Sequence, residues 1–376
     1  MPFTIEKKSF LDLLQKAYPF VPQRTSLQVL SNFMISLKRD SIAITATDLD
    51  HSIRVTGELI GDEEYDITVN ARRLFDISRE LPEGPVTIHI DENVVIIESG
   101  NSFSCKIAGA DTLDYPAFPE VTAEAGFTVP AAMLRDMISK TSFAVSKDET
   151  RACLCGVLWE VENQRTGMTA TDGHRLGSSF HNAEFDVSDH ISGIVAPKSI
   201  VHLTKIVGID TEEATVSVTI CEKYVLFGTD TITLCSKLID GPYPDYQKVI
   251  PSNNPKKAVV DKRALIDAVR RVSVLSNQKT HLTKFVFSPG KLEVSVLNRD
   301  IGGEARQVLE IEYEGEEHAL GFNGHYLSEI LNIVPADRVR IEMNTQISAC
   351  LVFPENEEQT TQDLFLIMPL RIMEEA

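Results

Sequence analysis

The sequence predicts an α+β chain of three repeated units, each an antiparallel β-sheet layer carrying two helices. Three observations lead there. Ile-Thr-Ala-Thr-Asp at 44–48 returns as Met-Thr-Ala-Thr-Asp at 168–172, an offset of 124, and more weakly as Val-Ser-Val-Leu-Asn at 294–298, a further 126. The runs ending at Pro116 (Leu-Asp-Tyr-Pro) and Pro244 (Pro-Tyr-Pro) keep the same period, 128 apart. Between these marks, helical and strand-like patterns alternate in matching order.

Apolar residues at i, i+3, i+4 spacing predict helices over 7–18, 71–81, 131–141, 197–206, 261–274 and 324–333, with starts 64, 66 and 63 residues apart within the three units. Asn70 and Asn323 stand at N-cap positions and Pro197 in a first turn. Alternating β-branched runs predict strands at 33–37, 41–45, 86–90, 94–98, 216–220, 224–228 and 291–296. Gly, Asn and Asp turns bound many of them, as in a meander. Polar stretches at 122–128 and 251–257 read as linkers, giving expected domains 1–123, 124–252 and 253–376.

At 376 residues the chain is too long for one core. With 43% hydrophobic and 24% charged residues it reads as globular. The start lacks a cationic-then-apolar leader, and no window approaches the ~18 apolar residues of a membrane span. The expected location is therefore the cytoplasm. Six scattered cysteines (105, 153, 155, 221, 235, 350) fit no disulfide or zinc pattern and are expected to be buried reduced thiols.

A net charge of −19 argues against nucleic acid at first sight. Its distribution reverses that. The six helix spans hold fourteen basic and seven acidic residues, +7, which leaves −26 for the remainder. Glu forms helices as well as Lys does, so its scarcity there points to a positive helical surface on an acidic body. An open groove on such a molecule would bind DNA weakly, because affinity comes largely from counterion release at phosphates. A closed ring needs only weak, sequence-independent attraction.

Arg24 before 27–32, Ala-Thr-Asp-Leu-Asp ending at Asp50, Thr-Asp-Gly-His-Arg-Leu ending at Leu176, Pro-Asp-Tyr-Gln-Lys-Val ending at Val249 and Met-Pro-Leu-Arg ending at Arg371 carry a resemblance. In order and spacing, over essentially the whole chain, they resemble the bacterial sliding clamps, beta subunits of the DNA polymerase III holoenzyme. The resemblance implies the DNA clamp fold and a head-to-tail dimeric ring lined by helices. The implied function is a processivity factor that encircles duplex DNA and tethers the polymerase. Implied partners are double-stranded DNA, a second copy, the replicative polymerase alpha subunit, the clamp loader delta subunit, and translesion polymerases and repair proteins carrying short clamp-binding peptides.

The resemblance also implies three sets of residues. Arg24, Arg72 and Lys198, with Arg73, Arg151 and Lys205, would meet DNA. Asp148 would repel phosphate beside Arg151, and Ala152 and Cys153 stand where aromatic residues would stack on single strands. Phe103 and Cys105 would meet Val274 and Leu275 of the partner copy. A peptide cleft would take in Leu154, Thr171, Gly173, His174, Arg175, Leu176, Pro244, Lys248, Val249, Asn323, Tyr326, Leu366, Ile367, Met368, Pro369, Leu370 and Arg371.

Chemically, Leu154, Leu176, Val249, Leu366, Met368 and Leu370 offer apolar walls. His174, Arg175, Asn323 and Arg371 offer polar groups for a peptide backbone. Two buried peptide anchors give ~3–6 kcal/mol gross, so micromolar binding at ~−8 kcal/mol needs the polar contacts too.

The competing readings are a protein scaffold that binds no nucleic acid and a small-molecule hydrolase, the latter on Asp172, His174, Ser178 and Ser179. The chain lacks a G-x-S-x-G elbow, a Walker A loop, G-x-G-x-x-G and H-E-x-x-H. Asp172 also has repeat counterparts in Asp48 and Asn298, which favours a turn role. No catalysis, metal or cofactor is expected.

Overall fold

The computed structural model describes residues 2–100, 103–120, 126–187, 190–206, 214–355 and 363–372. Six α-helices lie among them: α1 (Lys7–Ala17), α2 (Ala71–Glu80), α3 (Ala131–Thr141), α4 (Pro197–Ile206), α5 (Lys262–Ser273) and α6 (Gly324–Ile333). Each matches its expected span within a residue at either end. Capping explains the boundaries. Asn70 accepts a hydrogen bond from the backbone N–H of Arg73, and Asn323 accepts from His325 and Tyr326. Asp261, expected inside α5, is instead its N-cap, accepting from Ala264 N at 2.7 Å. Tyr18 leaves α1 for a 3-10 turn, Tyr18–Phe20, because Pro19 has no N–H to continue the ladder.

The chain forms two compact units, each stitched from two stretches of sequence. Met1–Ala132 with Lys198–Leu238 is the first. Its twelve-stranded sheet runs in the order Phe3–Glu6, Pro85–Asp91, Val94–Ser99, Phe103–Ala110, Tyr65–Asn70, Asn32–Lys38, Ser41–Thr47, His51–Glu58, Ile232–Lys237, Tyr224–Gly228, Thr215–Ile220 and Gly126–Pro130. Alternation drives it: Phe33, Ile35 and Leu37 face one core, as do Ile42 and Ile44 on the next strand. Helix α1 buries Phe10, Leu13, Leu14 and Ala17, an i, i+3, i+4, i+7 stripe, and packs on α2.

The second unit joins Met133–Pro197 to Ile239–Ala376. Its eight-stranded sheet runs Ile191–Val195, Val157–Glu162, Arg165–Thr171, Arg175–Asn182, Leu364–Ile367, Cys350–Pro354, Arg338–Met343 and Lys256–Asp261. A four-stranded sheet runs Gly303–Glu310, Lys291–Asn298, Leu282–Ser288 and His318–Asn323. Helix α5 buries Leu265, Ala268, Val269 and Val272 and packs on α6. Trp159 is fully buried, its indole N–H donating to Thr166 Oγ1 at 2.8 Å.

Three expectations are corrected. Cys235 and Cys350 are buried, but Cys105, Cys153, Cys155 and Cys221 are half-exposed. Residues 122–125 of the first expected linker lie outside the described residues, while Phe127 and Thr128 already pair in a strand. The second expected linker is tied down: the Asn254 amide donates to Glu342 O and Ala349 O, and Lys256 opens a strand. Among the described residues no helix is long and apolar enough to cross a membrane.

Candidate functional site

The recurring Thr-Asp is a turn with one hydrogen-bond plan. Thr47 Oγ1 donates to His51 O and accepts from Leu49 N, and Thr171 Oγ1 donates to Arg175 O and accepts from Gly173 N. Asp48 Oδ1 accepts from the N–H groups of Asp50 and His51, and Asp172 Oδ1 from those of His174 and Arg175. Both turns pass through left-handed backbone, at Leu49 (φ 78°) and Gly173 (φ 89°). In the third copy Asn298 Oδ1 accepts from Asp300 N. These side chains end a strand and turn the next one back, a structural duty that sets where each returning strand begins.

The strand returning from the second turn carries Arg175 and Leu176 of the expected cleft. This strand, Arg175–Asn182, pairs with Leu364–Ile367, placing Arg175 opposite Ile367 and Leu176 opposite Leu366. The backbone continues past the strand end, with Met368 N donating to His174 O at 2.8 Å and Leu370 N to Gly321 O at 2.7 Å. The tail thus bridges the two sheets of the second unit. Leu176 and Leu366 are buried in an apolar cluster with Tyr246, Ala349 and Leu351, against which Met368, Tyr243 and Ile250 are half-buried. Leu154 is buried too, whereas Val249 and Pro244 are exposed. Leu176 and Leu366 are therefore floor, and Met368 and Val249 are accessible apolar side chains.

Ile367 faces the other way. Alternation along the strand sends it, with Phe365, into the main core of the second unit. Arg175 also departs from its expected role of holding a peptide backbone. It is only 5% exposed and its guanidinium is already engaged. It donates to Asp172 Oδ2, to Glu329 and to Phe143 O, and lies over the rings of Phe143 and Tyr326. Asn323 spends its side-chain oxygen capping α6. Lys248 is exposed and paired with Asp245 at 2.9 Å. His174 remains exposed, its ring 6.4 Å from that of Tyr326, and Arg371 is exposed at the tail.

The sequence pattern did not disclose the supports: Phe143, Glu329, and Tyr243, whose hydroxyl accepts from Thr171 N at 3.0 Å. Burial pushes the Tyr243 hydroxyl above its ordinary range, so it stays neutral. The Pro-Tyr-Pro repeat was its one local signal. A cavity of about 760 Å³ adjoins the cluster, sharing Tyr246, Ile250 and Leu364 and walled by Phe180, over which Arg165 stacks at 3.9 Å.

The cationic candidates differ in freedom. Arg24, Arg73 and Lys205 are exposed, and the Arg72 side chain is 82% exposed with Asp76 no nearer than 3.8 Å. Arg151 pairs with Asp148 at 3.2 Å. Lys198 is half-buried and bound to Asp48 Oδ2 at 2.6 Å. Burial alone would raise the Asp48 carboxyl, but hydrogen bonds from His51 and Lys198 hold it far below the usual range.

Phe103 and Cys105 sit on strand Phe103–Ala110, which pairs along Val94–Ser99 on one side. On the other side, among the described residues, only Gly109 and Ala110 pair, with Val69 and Thr68. Phe103 is 38% exposed and Val274 79%, while Leu275 is half-buried against the core of the second unit.

The hydrolase arrangement does not assemble. Ser178 Oγ shares a hydrogen bond with Thr169, Ser179 Oγ donates to Asp363, and Asp172 is occupied by backbone and Arg175. Among the described residues no group of three or more His, Cys, Asp or Glu could hold a metal ion.

Family profiles described as the N-terminal, central and C-terminal domains of the DNA polymerase III beta subunit match residues 1–119, 128–245 and 247–371. A beta sliding clamp of Pseudomonas aeruginosa is 30% identical over 377 residues, covering 99% of this chain and all of that protein. One from Bacillus subtilis is 30% identical over 387 residues, with 99% and 100% covered. Among solved structures, a sliding clamp from Pseudomonas aeruginosa bound to griselimycin aligns with a TM-score of 0.92 at 30% identity, covering 99% of this chain and 100% of that one. Another, from Bartonella birtlesii and also bound to griselimycin, aligns at 0.93 and 29%, with the same coverage.

Proposed function

The chain belongs to the DNA polymerase III beta-subunit family, the bacterial sliding clamps, and from that premise we propose that two copies close head to tail around duplex DNA. It is a DNA sliding clamp with the three-domain clamp fold, a non-catalytic processivity factor. Repeats at 1–123, 124–252 and 253–376 supply the three domains. The cytoplasm is where it works.

The observation that carries ring closure is a pair of open sheet edges. Strand Phe103–Ala110 is unpaired over most of one side, and Gly303–Glu310 ends its sheet, among the described residues. Open edges invite strand addition. Around them stand Phe103, Val274, Leu297, Ile301 and Val308, all exposed apolar side chains. Two different edges on one chain make a heterologous contact, which closes into a ring when the rotation allows.

Inside the ring, Arg24, Arg72, Arg73, Arg151 and Lys205 offer diffuse attraction to phosphate, with no base readout. On the second unit, His174, Val249, Met368 and Arg371 around the Leu176–Leu366 floor receive short peptides of the polymerase alpha subunit, clamp loader delta subunit, translesion polymerases and repair proteins. Arg175 holds the wall of that cleft.

The test is assembly. The chain is expected to run at dimer mass, and Phe103→Asp with Val274→Asp to weaken the dimer at least tenfold, since each buries an apolar side chain worth ~1.5–3 kcal/mol. Unchanged far-ultraviolet circular dichroism and an unchanged melting profile would show the fold intact. A dimer indifferent to both substitutions would overturn the edge assignment.

A further inference from the structure

Asp48 does two separable things with its two oxygens. Oδ1 accepts the N–H groups of Asp50 and His51 and so makes the turn. It also faces His51 Nδ1 at 3.2 Å. Oδ2 receives the Lys198 ammonium at 2.6 Å. The third repeat shows which of these needs a charge. There the position is Asn298, and its neutral amide oxygen makes the turn contact by itself. A carboxylate is therefore unnecessary for the backbone, and its charge in the first repeat serves the side chains it holds.

The second repeat agrees. Asp172 uses Oδ1 for the turn and Oδ2 for Arg175, which it locks against Phe143. At the first-repeat turn the Lys198 ammonium, carried on α4, lies 5.7 Å over the ring of Phe20, from the 3-10 turn after α1; Phe143 lies in the corresponding turn after α3. Both turns thus hold a cation between their carboxylate and an aromatic face. The Lys198 side chain is 34% exposed and that of Asp48 16%. To reach a phosphate the lysine must give up a short, half-buried ion pair that Arg72 does not have.

We infer that Asp48 is a positioning residue for the DNA lining: it retains Lys198 and so keeps the ring's grip on phosphate weak enough to slide. This rests on the proposed ring. The restraint is specific to charge, since Asn at 48 keeps the Oδ1 acceptor and replaces the oxygen that binds Lys198 with a donor. A released lysine adds one phosphate contact per chain and two per ring, about 1.8 to the salt exponent, or roughly twelvefold between about 50 and 200 mM salt.

The experiment is one-dimensional diffusion of loaded, fluorescent rings on long duplex DNA, followed molecule by molecule at those two salt concentrations. Asp48→Asn is expected to slow diffusion, more at low salt. Lys198→Ala alone should stay close to wild type, and the double variant should match Lys198→Ala. Slowing that persists without Lys198, no slowing at all, or marked acceleration by Lys198→Ala alone would each overturn the inference. A wild-type chain never retained on circular DNA would instead remove the ring itself, and this inference with it.

Discussion

Replacing Arg175 with alanine is expected to destabilise the second unit by about 3–5 kcal/mol and to abolish peptide capture, the size typical of breaking a buried pair from one side. The guanidinium joins Asp172, Glu329 and Phe143 O, and the Asp172 side chain it serves is only 10% exposed. Without it a carboxylate is left buried, and the wall carrying His174 and Tyr326 loses its brace. Lysine should not rescue, because a point ammonium cannot reach three partners in a planar fork. Trp159, the chain's one tryptophan, lies buried in the same unit and reports the change directly in urea. A variant unfolding within ~1 kcal/mol of wild type, or one that still binds peptide, would contradict the bracing role.

The second large effect belongs to Lys140. Its ammonium, with 7% side-chain exposure, lies 2.7 Å from Asp363 and 2.6 Å from Asp136, and Asp363 also accepts from Ser179. Asp363 immediately precedes the strand Leu364–Ile367 that carries the cleft's tail. Lys140→Met should cost about 3–5 kcal/mol by leaving Asp363 charged and buried. Pairing it with Asp363→Asn should recover most of the loss, because then no net charge is stranded.

Acid acts on the same network. Burial would raise the Asp136 carboxyl, but hydrogen bonds from His181 and Lys140 outweigh it and hold it below its ordinary value. Its contribution is thus complete above pH ~4, the unfolded value, and lost as pH falls through the lower folded value. Urea midpoints read by Trp159 between pH 7 and 3 check both the sign and the dependence on Lys140.

Local rules carried the helices well. Asn70 and Asn323 marked helix starts because a cap is satisfied within three residues. The repeated Thr-Asp was legible as a turn for the same reason. Burial was less legible. Arg175 looked like a surface donor because its partner Glu329 is 154 residues away. Lys198 looked like a free cation because Asp48 is 150 residues away. The resemblance sets Ile367 in the cleft with its neighbours, although alternation alone puts it on the opposite face from Leu366 and Met368. The linker at 251–257 read as loose from its polarity, yet that polarity is what lets Asn254 bond two strands. The cleft and the DNA-facing set came from family resemblance, since no single motif in them is specific by itself.

A threaded ring and an electrostatic binder part company when a DNA circle is opened. The protein is loaded by a clamp loader onto nicked circular duplex, washed at a salt concentration that strips electrostatic binders, and the circle is then cut once. Encirclement predicts retention on the closed circle and rapid loss after the cut, by sliding off the ends. Loss from the uncut circle, or equal retention on circle and linear product, would contradict it.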